Sequence, residues 1–448
     1  MRTIFITSFH PLISRNILMA GVARELAKEF RVIVVVPAYK VPYFEKEHGG
    51  KGITIRGVGT DLSPYDFFFR SLILLFTNSR GMRIKEAARC AVQYGFFRCT
   101  VGPVIRRVFG NQAPVLALVR FLDRLFYSTG RFDVLFREFK PGCIFATDIQ
   151  NEMDVRLLHE ARRRGIRTIG MVRSWDNITS KGNLRVVPDH IVVHNERIKN
   201  ELVSYSKVPA GHITPVGIPH YDRYLGTPKK SREEFMKEHR FDSRRKTVMF
   251  APIGDRYIRN NTLDAMVFKE LAQLPLNLIV RMPPTDMATL GKPKNPSAII
   301  AFDETGQESE RLRTEERSRK QNEISTIDEE HLHEELTYSD VLVTGHSTLV
   351  NDAALVDLPA VIIAFDQEPR KYLDSIRRYY DYEYYVPIVE SGGISLASSV
   401  GELIQEVREA LEDRNRLQEG RKRIVKEQAM SGDGRSTERL VSVIRSSL

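Results

Sequence analysis

Cysteine is scarce in this chain: Cys90, Cys99 and Cys143 are the only three among 448 residues. An odd number without metal-ligand spacing argues against a disulfide-stapled scaffold or a structural zinc site, and reads as reduced thiols of a cytosolic protein. Tryptophan occurs once, at Trp175. No apolar run approaches the ~18 residues of a membrane span. The opening MRTIFITSFHP reads as a short strand and a polar turn, so no signal peptide is expected. The first strand–helix turn lacks a G-x-G-x-x-G fingerprint, which argues against a dinucleotide site. Acidic residues are the minority, 57 Asp+Glu against 67 Lys+Arg, giving +10 and a pI near 9.4. That balance favours acidic partners such as nucleotide diphosphates or an anionic lipid surface. Nucleic acid is not expected, because the basic residues are scattered and no binding motif appears.

What is present is repeated strand–helix alternation on a length that suits two α/β domains. TIFITS at 3–8, RVIVVVP at 31–37 and GITIRGV at 52–58 read as buried strands, with a helix over 17–29. The alternation resumes with strands at 142–148, 167–174 and 190–195 and a helix at 150–164. Between them, 62–130 breaks the rhythm with an aromatic-rich apolar run and then a basic stretch. Helices with buried faces and a surface for anionic headgroups are both open readings there. Pro219 and the polar run 227–246 mark a crossing to a second domain with strands at 247–252, 276–283, 298–303, 341–345 and 360–365. The segment 304–335 reads as a solvated loop and helix, and 400–427 as one amphipathic helix. The boundaries follow: an N-terminal Rossmann-like domain over 1–225, a second over 226–435, and a helix over 436–448 that returns to the first.

The chain is organised around 338–366, YSDVLVTGHSTLVNDAALVDLPAVIIAFD, which reads as strand, tight loop, helix and strand. Gly345 allows a sharp turn, Ser347 or Thr348 can cap the helix, and the helix start offers N–H groups and a positive dipole end to a diphosphate. The segment resembles the donor site of GT-B glycosyltransferases and of the related CDP-glycerol glycerophosphotransferases and nucleotide-sugar epimerases. The resemblance implies that His346, Ser347 and Thr348 hold the diphosphate and that Asp352, where many relatives carry Glu, meets the ribose. A second stretch, SWDNITSKGNLRVVPDHIVVHN continuing to VGIPHYDRY at 224, resembles bacterial surface-polysaccharide transferases of the same fold. It implies an interdomain or acceptor-side role for Ser174, Trp175, Asn177 and Lys181, joined by Arg15 and Asn16 of the first loop.

The implied fold is GT-B: two Rossmann-like domains facing across a cleft, with the last helix packed back on the first. Ligands of such sheets sit beyond the carboxyl ends of the strands. An inverting transfer needs a base for the acceptor hydroxyl, with Asp176 first and His10 second, and positive charge on the leaving diphosphate. Arg281, Gly254 and the 345–348 loop are the donor-side candidates. Neither a metal nor a cofactor is called for, and no D-x-D triad sits at a suitable strand end. In IVRMPPTD at 279–286, Arg281, Pro284 and Asp286 fit the glycerophosphotransferase-like pattern, but Pro283 stands where those relatives have His. The resulting expectation is a sugar transferase using a nucleotide-sugar and a surface-glycan or lipid-linked acceptor. It would be cytoplasmic or peripheral on the inner membrane face. The alternatives are a glycerophosphotransferase, a nucleotide-sugar epimerase and a non-catalytic nucleotide-binding scaffold.

Overall fold

The structure, a computed structural model, describes every residue except 1, 92–94, 96, 129, 259, 284–285, 304–322 and 448. Pro284 and most of the expected solvated segment therefore lie outside the described residues. The chain divides into two compact units, Met1–Arg223 with Gly432–Leu448, and Tyr224–Ser431.

Unit 1 is built on seven parallel strands: β1 (Thr3–Thr7), β2 (Arg31–Pro37), β3 (Ile53–Val58), β4 (Cys143–Ala146), β5 (Arg167–Met171), β6 (His190–Val193) and β7 (Ile213–Pro215). Their order is β3-β2-β1-β4-β5-β6-β7. Apart from the three-residue β7, each strand is a short run of mostly apolar residues, which is what a sheet covered on both faces requires. Alternation then divides the core. Ile4, Ile6, Val32 and Val34 enter one cluster, whereas Phe5, Ile33 and Val35 enter the other with Phe132, Phe136 and Leu157. The final helix, Ser436–Ser446, adds Leu440, Val441 and Ile444 to the first cluster. Its first turn is capped by Asp222, whose carboxylate accepts from Ser436 N (3.0 Å) and Thr437 N (2.8 Å).

Unit 2 repeats the plan with six parallel strands: β8 (Thr247–Ala251), β9 (Asn277–Val280), β10 (Ile299–Phe302), β11 (Val341–Thr344), β12 (Ala360–Ile363) and β13 (Ser395–Ala397). Their order is β10-β9-β8-β11-β12-β13. The strand order reverses between β1 and β4 in unit 1 and between β8 and β11 in unit 2. In sheets of this kind ligands bind beyond the carboxyl ends of such a pair, where the connecting loops diverge.

Several local expectations are corrected. Cys90 and Cys99 are not free thiols but a disulfide, with Cα atoms 5.7 Å apart, tying the helix Arg80–Cys90 to the turn Phe97–Val101. Sequence spacing carries no information on that approach, and the redox argument for a reducing compartment goes with it. Cys143 is free and buried, and burial pushes its thiol up to about 12. The helix expected over 17–29 is a π-turn, Ser14–Met19, then a short helix, Val22–Leu26, because Gly21 takes φ +83° between them. The helix expected over 400–427 is two, Val400–Glu412 and Gln418–Gln428, interrupted where Leu417 takes φ +62°. Edge strands β7 and β13, three residues each, were too short to leave a pattern. Among the described residues of 62–130 are four α-helices, Pro64–Leu75, Arg80–Cys90, Gly102–Phe109 and Ala113–Phe126, besides the π-turn Phe97–Val101, and Phe69, Ile73, Leu116 and Val119 form a small core of their own.

Candidate functional site

In unit 2 the crevice lies between the loops after β8 and β11. Asp264 builds the first loop: its buried carboxylate accepts from Ile253 N (3.0 Å), Gly254 N (2.9 Å) and Asn261 Nδ2 (2.6 Å). Three donors on one acid hold the turn in place. Gly254 takes φ +92°, and a Cβ there would come within 2.4 Å of Asp286 Oδ2. The acid Asp286 in turn accepts from Arg256 N at 2.9 Å. Gly345 is required for a different reason from the turn expected of it. Its φ is not left-handed; a Cβ would stand 2.5 Å from Ile253 Cγ1, so glycine lets the two loops meet.

His346 then lies face to face with Tyr379, with ring centroids 3.9 Å apart and planes 4° from parallel, and meets the edge of Tyr257 at 4.6 Å. Burial, with Arg378 nearby, lowers its pKa to about 3, so the ring is neutral at physiological pH. Ser347 Oγ accepts from Leu349 N (3.2 Å), which makes Ser347, not Thr348, the residue that ties off the helix Leu349–Leu355. These residues are brought together as the sequence suggests. Two others are drawn elsewhere. Asp352 is buried and accepts from the Tyr224 hydroxyl at 2.6 Å. Arg281, at the end of β9, is ion-paired to Glu335 (2.7 Å) and Asp303 (3.1 Å). Its charge is compensated within the unit, so it is not a free cation for a diphosphate. Glu335 belongs to the helix Thr326–Tyr338, which the sequence reading treated as solvated. Burial raises this acid to about 8, against the opposing charge of Arg281.

In unit 1 the crevice is closed at its floor by Thr7 and Thr147. Thr147 N donates to Thr7 Oγ1 (2.9 Å) and Thr147 Oγ1 to Thr7 O (2.8 Å), joining the ends of β1 and β4. Above them His10 Nδ1 accepts from Leu12 N at 3.2 Å. That bond leaves the ring proton on Nε2, so the imidazole presents a donor rather than a base. Its pKa falls to about 3, through burial first and then Arg173, Lys181 and Lys40. Arg173, after β5, pairs with Asp148, after β4, at 2.5 Å.

The loop 174–182 follows. Asp176 O accepts from Ser180 N (3.0 Å), and its carboxylate accepts from Ser180 Oγ (3.1 Å). Burial raises the Asp176 pKa, but Lys181, a hydrogen bond from Ser174 and then Arg173 outweigh it, and the net shift is downward. The net downward shift favours the carboxylate form of Asp176. Lys181 moves down as well, through burial, with Asp176 opposing. The helical region supports this loop from outside: Ser79 Oγ donates to Thr179 O (2.5 Å) and Lys85 Nζ to Ser180 O (3.0 Å). Trp175 is buried, with its carbonyl accepting from Arg197 at 3.3 Å, and is a packing residue of the loop. Asn177 is fully buried, and its side-chain amide atoms have no hydrogen-bond partner among the described residues. Arg15 and Asn16 fall on the π-turn Ser14–Met19, with Asn16 buried.

Sequence reasoning missed Arg173, Lys85, Tyr257 and Tyr379. The run YYDYEYY at 379–385 was a visible signal for the aromatic wall, whereas Lys85 is brought in from another helix and left none. Among the described residues no group of His, Cys, Asp or Glu is arranged to hold a metal ion, and no helix is long and apolar enough to cross a membrane.

Comparison with solved structures places this architecture. S. aureus MnaA with UDP superposes with a TM-score of 0.52 at 14% identity, over 99% of this chain and 96% of that one. The UDP-GlcNAc 2-epimerase from Methanocaldococcus jannaschii gives 0.53 at 15%, over 100% of both chains. The wall teichoic acid polymerase TagF gives 0.50 at 12%, over 99% of this chain and 88% of that one. At such identities the likeness concerns the fold, which is that of the GT-B class, with two Rossmann-like units and a terminal helix packed on the first. No curated protein matches. Residues 167–446, more than half of the chain and including the loops after β5, β8 and β11, match the profile described as CDP-Glycerol:Poly(glycerophosphate) glycerophosphotransferase. The chain thus belongs to the CDP-glycerol:poly(glycerophosphate) glycerophosphotransferase family, a family of transferases.

Proposed function

We propose that this protein transfers a sugar from a nucleotide-sugar to a surface-glycan or lipid-linked acceptor, with inversion and without a metal, at the inner face of the cytoplasmic membrane. The observation that carries the reading is the pair of strand-order reversals, each with chemically suited residues at its carboxyl side. Unit 2 is the donor half: Gly345 seated on Ile253, next to Gly254 and the start of the helix Leu349–Leu355, forms a rigid polar loop for a diphosphate. Unit 1 is the acceptor half. Asp176, ionised beside Lys181, takes the proton of the acceptor hydroxyl as that oxygen bonds to the anomeric carbon. The bond from that carbon to the diphosphate breaks, and its electron pair leaves with the nucleoside diphosphate. His10 donates from Nε2 to the acceptor and keeps it in place. Arg281 serves the donor half by fixing the ends of β9 and β10 through Asp303 and Glu335.

A glycerophosphoryl donor is the second reading, favoured by the family profile and opposed by Pro283. A thermal-shift panel of nucleoside diphosphates, nucleotide-sugars and CDP-glycerol separates the two. Stabilisation by one nucleotide and by its sugar conjugate supports sugar transfer. A response to CDP-glycerol alone supports the second reading, and no response to any of them defeats both.

A further inference from the structure

The amino ends of β4, β5 and β6 lie at the end of the sheet away from the crevice, and two cavities open there side by side. The first, of about 470 Å³, lies between the end of the helix Asp133–Phe139, with Lys140 and Pro141 after it, and the residues Arg164 and Ile166. The second, of about 380 Å³, lies between the end of the helix Glu152–Arg163, the start of β5 and the segment 186–189 that leads into β6. Ile166 lines both. The buried residues Phe136 and Leu158 give the first and the second cavity an apolar floor, joined in the second by Val186.

The rims are cationic. Arg137, Lys140 and Arg164 line the first cavity and Arg162 and Arg167 the second, against Asp133 and Asp189. Both acids are engaged: Asp133 pairs with Arg164, and the Asp189 carboxylate accepts from Thr168 N and Thr168 Oγ1, each at 2.9 Å. Arg164 is engaged as well, by Asp133 and by Glu160 at 3.3 Å. That leaves Arg137, Lys140, Arg162 and Arg167, all exposed and without a side-chain hydrogen bond or ion pair among the described residues. Cations at two helix ends complement the helix dipoles. Arg167, however, opens a strand, and the dipoles give no reason for hollows with apolar floors between the cations.

We propose that these cavities bind an organic phosphate, whose phosphate or diphosphate meets the four open cations and whose ring or apolar body lies on Phe136, Ile166 and Val186. Both volumes fall within the roughly 300–1,000 Å³ of small-molecule sites. The planar fork of arginine matches phosphate oxygens. A bare polyanion has no use for an apolar floor, and an uncharged ligand leaves the cations without partners. Nucleotides and sugar phosphates share the required chemistry. The site stands apart from the crevice: β4 and β5 begin here, at Cys143 and Arg167, and lead towards Asp148 and Arg173 at their other ends. It rests on the geometry of unit 1 and not on the transfer chemistry.

The test is isothermal titration calorimetry of the full chain with the common ribonucleoside monophosphates, ribose 5-phosphate, inorganic pyrophosphate and uncharged uridine. The same titrations are run on R137Q/K140Q/R162Q/R167Q. All four side chains are exposed, and an unchanged unfolding midpoint shows that the fold is kept. Wild type is expected to bind a nucleoside monophosphate or ribose 5-phosphate, and the variant to lose about tenfold or more of that affinity. Which of the two binds assigns the site to a nucleotide or to a sugar phosphate. Pyrophosphate is expected to bind more weakly, through charge alone, and uridine not at all. Absence of binding of every organic phosphate by folded wild type overturns the proposal, and so does equal binding by the variant. Pyrophosphate binding as tight as that of the organic phosphates overturns it too, since the face then holds an adventitious ion only. Thermal shifts induced by nucleoside diphosphates at the crevice stay as in wild type for the variant, so failure here is distinct from failure of the transfer reading.

Discussion

The two crevices share one origin, a reversal of strand order, yet their chemistry is opposite. In unit 2 the ionic groups near the strand ends are internally balanced: Arg281 by Asp303 and Glu335, and the loop N–H groups by Asp264. What remains is backbone, a neutral His346, an aromatic wall and Arg378, which lies over the Tyr379 ring. In unit 1 the cations Lys40, Arg173 and Lys181 act together on His10, with Asp176 opposing them and Asp148 paired to Arg173. Balanced charge with preset backbone suits a ligand whose own charge must be held without being trapped. A cation-rich group of side chains in which Asp148 is tied to Arg173 and Asp176 is not suits proton removal by Asp176. The lesson is that the strand-order rule locates a site, while the pairing of buried charges decides its role.

The comparison is broken most severely at Asp176. Asp176→Asn removes the only base proposed and is expected to lower turnover by about 10³-fold, with nucleotide-induced thermal shift unchanged. Retained turnover would leave unit 1 without its chemistry. Next comes Arg281→Met, which leaves Glu335 and Asp303 facing each other without a cation. A stability loss of about 3–5 kcal/mol in urea unfolding is expected. Should stability hold and nucleotide affinity collapse instead, Arg281 is a ligand-binding cation and the charge balance of unit 2 is not the relevant one.

A smaller effect sharpens the electrostatics of unit 1. His194, buried after β6, has its pKa lowered to about 4, by burial and then Arg197. The unfolded chain then binds a proton that the folded chain refuses, so stability falls as pH drops from the unfolded value towards about 4. At pH near 5 the loss is about 2 kcal/mol, and His194→Phe is expected to remove that part of the acid dependence in unfolding curves at the two pH values. Parallel curves for both proteins would count against it. Smallest is Tyr379→Leu, which removes the ring stacked on His346. A loss of about 1 kcal/mol is expected, along with an upward move of the His346 titration followed by NMR. A titration that stays in place would show that burial alone keeps the ring neutral.

Much of the strand framework was legible because a strand buried on both faces needs a dense apolar run, and most of the described strands carry one. Two that do not, β7 and β13, lie at sheet edges, where a short run suffices. The loops after β8 and β11 were legible in part for a related reason: Gly254 and Ser347 meet local backbone requirements, whereas the contact of Gly345 with Ile253 is a tertiary one. Helix interruptions were harder, since Leu417 at positive φ has no compositional signature.

The amino-acid sequence by itself determined the α/β alternation, the place of the two crevices and the residue types at their mouths. Each follows from short-range periodicity and from the handedness of parallel sheets. Tertiary structure alone decided which charges are compensated, since the partners of Arg281 and Asp123 lie 54 and 62 residues away. It also decided that Asp352 faces Tyr224, that Cys90 meets Cys99, and that the helices of 62–130 bury Asp66 and Asp123 beside their own apolar core. A helical stripe shows that two faces differ; which one is buried depends on what another part of the chain sets against it. Here Arg156 and Arg185 offered charge, and the acids turned in.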